Sequence, residues 1–428
     1  MIPDFVADLE SRGLQHQCTA TDVAELLRRE PFTAYIGFDP TADSLHIGSL
    51  LPVLALMRLQ RAGHFPIAVV GGGTGMIGDP SGKSAERSML TREQIDANCA
   101  GVRAQLERFL DFTGPRAARL VNNMEWLGPL NVIEFLRDIG KHFSVNSMIQ
   151  RDSVQLRLSG RDQGISFTEF TYALLQAYDF LELHDRFGCR LQVGGSDQWG
   201  NITDGVELIR RLRQGSAYGV TMPLVTRSDG SKFGKSESGN VWIDGKRTSP
   251  FAFYQFWLNV ADAEAARYLR FFTFLETEAI GALEARHASR PEQREAQREL
   301  AAQVTAMVHG DAALASARRT TSVLFEGGDL RTLDAAELDE GLREAPRTPV
   351  GRDELASGTL DLPSALARTG LAPSKGQART FIQQGAVSVN GDVVREESRK
   401  LGAADLLAGR FVVLRRGKKT YALLDVNG

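Results

Sequence analysis

The run Tyr35-Ile36-Gly37-Phe38 leads, through Asp39-Pro40 and His46-Ile47-Gly48-Ser49, into an apolar stretch of helical length that ends near Ala62. A second strand-like run, Pro66-Ile67-Ala68-Val69-Val70-Gly71-Gly72, follows at once. Strand, helix and strand of these lengths predict a right-handed crossover between parallel strands. Pro52 does not break the helix, because it falls in the first turn, where the backbone has little helical hydrogen bonding to lose. Further on, residues 91–112, 131–143 and 168–183 have helical periodicity, and Arg190-Leu191-Gln192-Val193-Gly194 is a short strand before a helix from Asn201 to Arg213. Such alternation predicts an α/β fold: a doubly wound, mainly parallel sheet with its functional site at the carboxyl edge.

With 428 residues the chain exceeds one ordinary core. The texture divides it into a Rossmann-like domain (1–228), a polar lysine-bearing loop (229–247), a helical domain rich in Ala, Glu, Arg and aromatics (248–325), a linker (326–357) and a small α+β tail (358–428). In the tail Val387 to Val394 reads as a hairpin with an Asn390-Gly391 turn. The tail carries eleven Lys/Arg against six Asp/Glu, a local +5 on a chain whose net charge is −3. A basic tail on an acidic body points to a polyanionic partner. No stretch reaches the roughly 18 apolar residues of a membrane span, and Met1-Ile2-Pro3-Asp4-Phe5 does not resemble a signal peptide. Three scattered cysteines fit neither a disulfide framework nor a zinc site, so a reducing cytoplasm is expected.

Two segments suggest phosphate chemistry. His46-Ile47-Gly48-Ser49 opens a helix, whose N-terminus attracts anions, and Lys232-Phe233-Gly234-Lys235-Ser236 puts two lysines in a glycine-containing loop. Gly73-Thr74-Gly75-Met76-Ile77-Gly78 matches G-x-G-x-x-G after a strand. A dinucleotide site would need a helix to start inside that motif, and Asp79-Pro80-Ser81-Gly82 interrupts it. Tyr172, Gln176 and Asp179 share one face of an otherwise apolar helix; an exposed face would explain them, but Phe170, Leu174, Leu175 and Phe180 argue for burial of much of this helix.

Taken in order, Tyr35 to Gly48, Gly78-Asp79-Pro80-Ser81-Gly82-Lys83, Tyr172 to Asp179 and Gly194-Gly195-Ser196-Asp197-Gln198-Trp199-Gly200-Asn201 closely resemble the active-site motifs of bacterial tyrosyl-tRNA synthetases, which are class I aminoacyl-tRNA synthetases. The resemblance runs from about residue 30 into the tail, which is similar to an RNA-binding module of a ribosomal small-subunit protein. It implies activation of tyrosine by ATP, release of pyrophosphate, and transfer of tyrosine to the terminal ribose of a tRNA. Tyr172, Gln176 and Asp79 are then expected to hold the substrate ammonium, Tyr35 and Asp179 its phenolic hydroxyl, and Gln198 its carbonyl end. Gly37, Asp39, His46, Gly48, Gly195, Asp197 and Lys235 are expected around ATP. His46, Ser49, Lys83, Arg87, Lys232 and Lys235 are expected to stabilise the phosphates and the leaving pyrophosphate. Ser49 stands where the family often has a second histidine, and it can donate a hydrogen bond but cannot become a cation.

Magnesium is expected to come with ATP, with no protein-bound metal or organic cofactor. In the tail Lys375, Arg379, Arg415, Arg416, Lys418 and Lys419 are expected on RNA phosphates, and Arg210, Arg211 and Arg213 near the acceptor end. The resemblance also implies a homodimer. A tryptophan ligase is the nearest alternative, and Tyr35 with Asp179 favours tyrosine over it. An idle RNA-binding scaffold is argued against by His46, Asp79, Lys232 and Lys235.

Overall fold

The computed structural model describes residues 4–81, 89–159, 164–226, 233–236, 239–417 and 420–426. Lys83, Arg87, Lys232, Lys418 and Lys419 lie outside the described residues, and Lys235 is described in its backbone alone. The chain forms two compact units, Met1–Arg247 with Val260–Leu300, and Thr248–Asn259 with Ala301–Gly428.

The first unit is built on a six-stranded sheet. Its strands are β1 (Gln17–Cys18), β2 (Thr33–Phe38), β3 (Phe65–Val70), β4 (Arg119–Asn122), β5 (Cys189–Gly195) and β6 (Tyr218–Met222), in the order β1-β6-β5-β2-β3-β4. All neighbours are parallel except β1 against β6. The central strands β2, β3 and β5 are buried almost end to end, which is why they read as continuous apolar runs rather than as alternation. The expected doubly wound sheet is therefore present, and β4 and β6 complete it.

The helices that shape the site are α1 (Phe5–Ser11), α2 (Ile47–Arg61), α3 (Arg92–Leu106), α4 (Phe167–Phe187), α5 (Trp199–Arg213) and α6 (Asp262–Phe272). The Ser166 hydroxyl caps the start of α4, and Gly188, at φ +61°, ends it. Helix α5 packs closely on α4 because Gly205 leaves room for Phe180; a Cβ there would lie 2.8 Å from the ring. The lysine segment ends in β7 (Lys235–Ser236), which pairs antiparallel with β8 (Gly239–Asn240).

In the second unit helix Pro250–Leu258 joins α7 (Asp311–Phe325) and α8 (Ala335–Gly341). A five-stranded sheet follows, of β9 (Arg347–Pro349), β10 (Val387–Val389), β11 (Asp392–Val394), β12 (Phe411–Arg416) and β13 (Thr420–Asp425), in the order β11-β10-β12-β13-β9, with helix α9 (Lys375–Gln383). Asn390 and Gly391, both at positive φ, form the expected hairpin turn. One face of the sheet buries Val412, Leu414 and Leu424 against Leu366 and Ile382. The other buries Phe411, Val413 and Leu423 against Leu324 and Leu338.

Two expectations about organisation need correction. Residues 326–357 are not a bare linker: they contain α8, and β9 pairs in parallel with β13. Strand β9 is three residues long and contains Pro349, too short for its periodicity to show. The helical stretch 248–325 is divided between the two units rather than forming its own domain. Its middle part, α6, is held to the first unit by two buried arginines. Arg12 donates to the carbonyls of Arg270, Thr273 and Leu275, and Arg58 to that of Thr273.

Candidate active site

From β2 the chain winds outward through β3 and β4, then returns to β5 on the other side of β2. The helices on either side of that reversal cannot fill the space above it, so a crevice opens at the carboxyl ends of β2 and β5. Asp39 directly follows β2, and Gly195 ends β5 with Asp197 just beyond it.

The deep end is polar and buried. Tyr35, 2% exposed on β2, packs edge-on against Phe180 with ring centroids 5.2 Å apart. Its hydroxyl has no hydrogen-bond partner among the described residues. Burial, and then the charge of Asp179, push its ionisation well above the usual phenol range. Asp179, 4% exposed on α4, accepts hydrogen bonds from Asn123 Nδ2 (3.0 Å) and Trp126 Nε1 (2.6 Å). Burial raises its pKa to about 7, and these two donors work against the rise.

Closer to the mouth a chain of amides joins the other expected ligands. Asp79 accepts from Gln198 Nε2 (2.7 Å) and from the Ser81 amide (2.9 Å). Asn201 Nδ2 donates to Gln176 Oε1 (3.0 Å) and Gln198 Oε1 (3.2 Å). Asp79, Gln198 and Gln176 are thus locked together. The Tyr172 hydroxyl faces Asp39 at 3.4 Å, and Thr74 Oγ1 also donates to Asp39 at 3.4 Å. Asp39, expected beside ATP, is therefore oriented by the same helix face as the amino-acid ligands.

At the other end, His46 caps α2: its Nδ1 accepts the Gly48 amide at 2.9 Å. That contact leaves Nε2 of the neutral ring as the donor. Gly48 is required here, because a Cβ would lie 2.7 Å from the imidazole. Ser49 sits half-buried in the first turn of α2. The lysine segment comes back to this point. The Ile47 amide donates to Val241 O, the Val241 amide to Gly234 O, and His46 pairs with Trp242 as an isolated bridge. A Cβ on Gly234 (φ +91°) would lie 3.2 Å from Ile47. On β5, the Asp197 carboxylate folds over Gly195, whose Cβ would lie 2.5 Å from Oδ1. Gly37 is exposed, with nothing within 4 Å of the place a Cβ would occupy.

A family model for class I tRNA synthetases of the W and Y group matches residues 27–326, and one for a tyrosine–tRNA ligase SYY-like C-terminal domain matches residues 337–424. The chain is 55% identical over 424 residues to a tyrosine–tRNA ligase of Chromobacterium violaceum, covering 98% of each. It belongs to the tyrosine–tRNA ligase family. It is also 51% identical over 424 residues to the ligase of Geobacillus stearothermophilus, covering 98% of this chain and 99% of that one. A C-terminally truncated mitochondrial tyrosyl-tRNA synthetase of Aspergillus nidulans superposes with a TM-score of 0.68 at 31% identity, over 75% of this chain and 94% of its own. A tryptophanyl-tRNA synthetase of Encephalitozoon cuniculi, at 15% identity and a TM-score of 0.53, shares the fold over 73% of this chain.

The structure adds residues that touch the expected ones and that the sequence did not single out. Asn123 and Trp126 follow β4, a strand too short and too polar to stand out; Asn122-Asn123 at a strand's carboxyl end was the available signal. Thr74 was passed over inside the glycine motif, and Asn201 inside a matched motif. Trp242 had no signal. Arg210 and Arg211 both pair with Glu207, and Arg213 with Asp185, so each is engaged on its own surface.

In the tail, Lys375 and Arg379 are exposed on α9. Arg416 lies on the same side of the sheet, donating to Leu371 O at 2.7 Å with its guanidinium 5.2 Å over Phe381. Arg415 points to the opposite face, where it donates to Ser388 Oγ at 3.2 Å. Successive residues of β12 alternate in direction, so these expected RNA contacts divide between two faces.

Proposed function

We infer that the crevice carries out both halves of tyrosine–tRNA ligation, with tyrosine at the deep end and ATP at the His46 end. The carrying observation is the unpartnered Tyr35 hydroxyl beside Asp179. A buried unpaired hydroxyl costs about 1–3 kcal/mol, and a phenol entering between the two residues relieves it. A tyrosine hydroxyl donates to Asp179 and accepts from Tyr35, whereas an indole offers a single donor. The linked Asp79, Gln198 and Gln176, with Tyr172, are suited to the substrate ammonium and its carboxyl end.

The tyrosine carboxylate then attacks the α-phosphate of ATP and pyrophosphate leaves. A carboxylate is already a nucleophile, so the protein's work is positioning and charge stabilisation. His46 Nε2 and the N-terminus of α2 face the phosphates. Lys83, Arg87, Lys232 and Lys235 supply positive charge to the pyrophosphate. Asp197 accepts from ribose hydroxyls, while Gly195 and Gly37 admit the nucleoside. Magnesium arrives on the triphosphate, with few protein ligands. The tRNA is held through Lys375, Arg379, Arg415, Arg416, Lys418 and Lys419.

A homodimer is supported by the apolar side chains Val132, Ile133, Leu136, Val145, Leu158 and Phe167, exposed on one stretch of the chain, with Phe167 77% exposed. A cytoplasmic location follows from the function. No described helix is long and apolar enough to cross a membrane.

The test is ATP–pyrophosphate exchange with each of the twenty amino acids. Exchange driven by tyrosine is expected. Exchange driven by tryptophan, or none at all, overturns the reading. For the tail, Lys375→Ala with Arg379→Ala should leave exchange intact and flatten the salt dependence of tRNA binding by about one logarithmic unit per lost phosphate contact.

A further inference from the structure

The lysine segment holds an aromatic side chain among its polar residues. Phe233 stands between Lys232 and Lys235 in a polar loop, yet it is 8% exposed. Its ring stacks on Phe272, with centroids 5.3 Å apart and planes at 21°, and tilts against Tyr268 at 4.9 Å and 59°. Tyr268 and Phe272 meet edge to face at 5.9 Å, so α6 presents an aromatic socket formed from two positions four apart.

That socket is fixed relative to the start of α2. Arg58, near the end of α2, donates to the carbonyl of Thr273 just past α6, and Arg12 binds three carbonyls around the same turn. Asp8 accepts from both guanidinium groups at 2.6 Å, and the Arg58 guanidinium lies over Phe274. His46 at the start of α2 and the socket on α6 are thus parts of one clamped assembly. The next residue, Gly234, presses on Ile47 and bonds to Val241.

We propose that Phe233 is a positioning residue for adenylate formation: its ring, seated between Tyr268 and Phe272, fixes the point from which the flanking lysines reach the triphosphate. Consecutive Cα atoms are 3.8 Å apart, so Lys232 is one virtual bond from the anchor and Lys235 two. A glycine-containing loop without such an anchor would spread both ammonium groups over many positions. Misplacing a reacting group by about 1 Å can cost on the order of 10²-fold in rate. The proposal rests on the roles given above to the lysines.

The experiment is pre-steady-state adenylate formation with equilibrium tyrosine binding, on folded full-length variants checked by thermal melting. Phe233→Ala should slow adenylate formation at saturating ATP by about 10- to 100-fold and leave the tyrosine dissociation constant within twofold. Phe233→Leu, which keeps an apolar plug, should recover most of the rate. Phe272→Ala should lose rate alike, and the double variant Phe233→Ala, Phe272→Ala should lose little more than either single one. A Phe233→Ala rate within twofold of the parent overturns the proposal, as does an equal loss of tyrosine affinity, or full additivity with Phe272→Ala. Lys235→Ala is the separate control. If it leaves adenylate formation unchanged, the lysine assignment fails, whatever the Phe233 variants show.

Discussion

The two ends of the crevice are built by opposite means. At the tyrosine end, side chains on α4, β2 and the segment after β4 lie within the protein interior, and Asp179 has two protein donors. At the phosphate end the structure comes mostly from backbone: the first turn of α2, the Gly234–Val241 and Val241–Ile47 bonds, and one aromatic ring in a socket. On the proposed reading the first arrangement suits a small neutral hydroxyl, for which burial makes each hydrogen bond count. The second suits a highly charged group that enters and leaves, met by side-chain donors and the helix dipole of α2.

If that contrast is right, the largest effect should come from the interior end. Asp179→Ala leaves Trp126 without its acceptor and Asn123 with Thr74 Oγ1 alone, and removes the proposed partner of the substrate hydroxyl. Each unsatisfied buried group costs about 1–3 kcal/mol. The expected result is a fall of about 10³–10⁴ in kcat/KM for tyrosine with the KM for ATP within threefold, measured by pyrophosphate exchange. Preference over phenylalanine should collapse as well. This enzyme family is itself the standard example of that preference, at about 10⁵. An equal loss in ATP use would erase the distinction between the two ends.

The same carboxyl should mark the tyrosine end by its pH dependence. Its pKa is about 7 in the folded protein, against an ordinary 3.8. Between those values the folded state holds a proton that the unfolded state has lost, so stability falls as pH rises through the window. At 1.36 kcal/mol per tenfold, the fall approaches about 4 kcal/mol and is complete above pH 7. Urea denaturation at pH 5 and pH 8 should show about 2.7 kcal/mol of it, the part between pH 5 and 7, and Asp179→Asn should lack most of that. Identical slopes in both proteins would mean that Asp179 is not desolvated.

How much of each end could be read from the sequence follows from this difference. The parallel sheet was legible because buried strands leave apolar runs and because the crossover length is fixed. Asp179, Tyr172 and Gln176 were legible because helix periodicity places polar residues on one apolar face, whereas Tyr35, on β2, came only with the family resemblance. Asn123 and Trp126 were not, because β4 is short, polar and only partly buried. The socket for Phe233 was equally hidden: nothing in the sequence singles out Tyr268 and Phe272 within a helical stretch rich in aromatics, and only the fold brings them to the lysine segment. The alternation of Arg415 and Arg416 could have been read once Phe411–Arg416 was known to be a strand.

At the phosphate end the larger effect belongs to His46. His46→Ala removes the donor proposed to meet developing phosphate charge, together with the cap on Gly48. Loss of one such donor typically costs about 10²–10³ in rate. Adenylate formation should slow by that factor while tyrosine binds as before. A comparable loss of tyrosine affinity would show that the ends are mechanically one.

The smallest effect, and the sharpest probe of the contrast, is at Ser49. It lies one helical position past Gly48, in the first turn of α2, and its amide already bonds to the His46 carbonyl. Its hydroxyl is therefore the only part of the residue left to act on a ligand. A neutral hydrogen bond is worth about 1 kcal/mol, so Ser49→Ala should slow adenylate formation only about fivefold. Ser49→His would add a second imidazole at the same dipole end and should raise the rate at low pH, where the added ring is charged. If Ser49→Ala instead costs as much as His46→Ala, the phosphate end is not a backbone device with one principal donor. It is then a matched pair of side chains, and as specifically built as the tyrosine end.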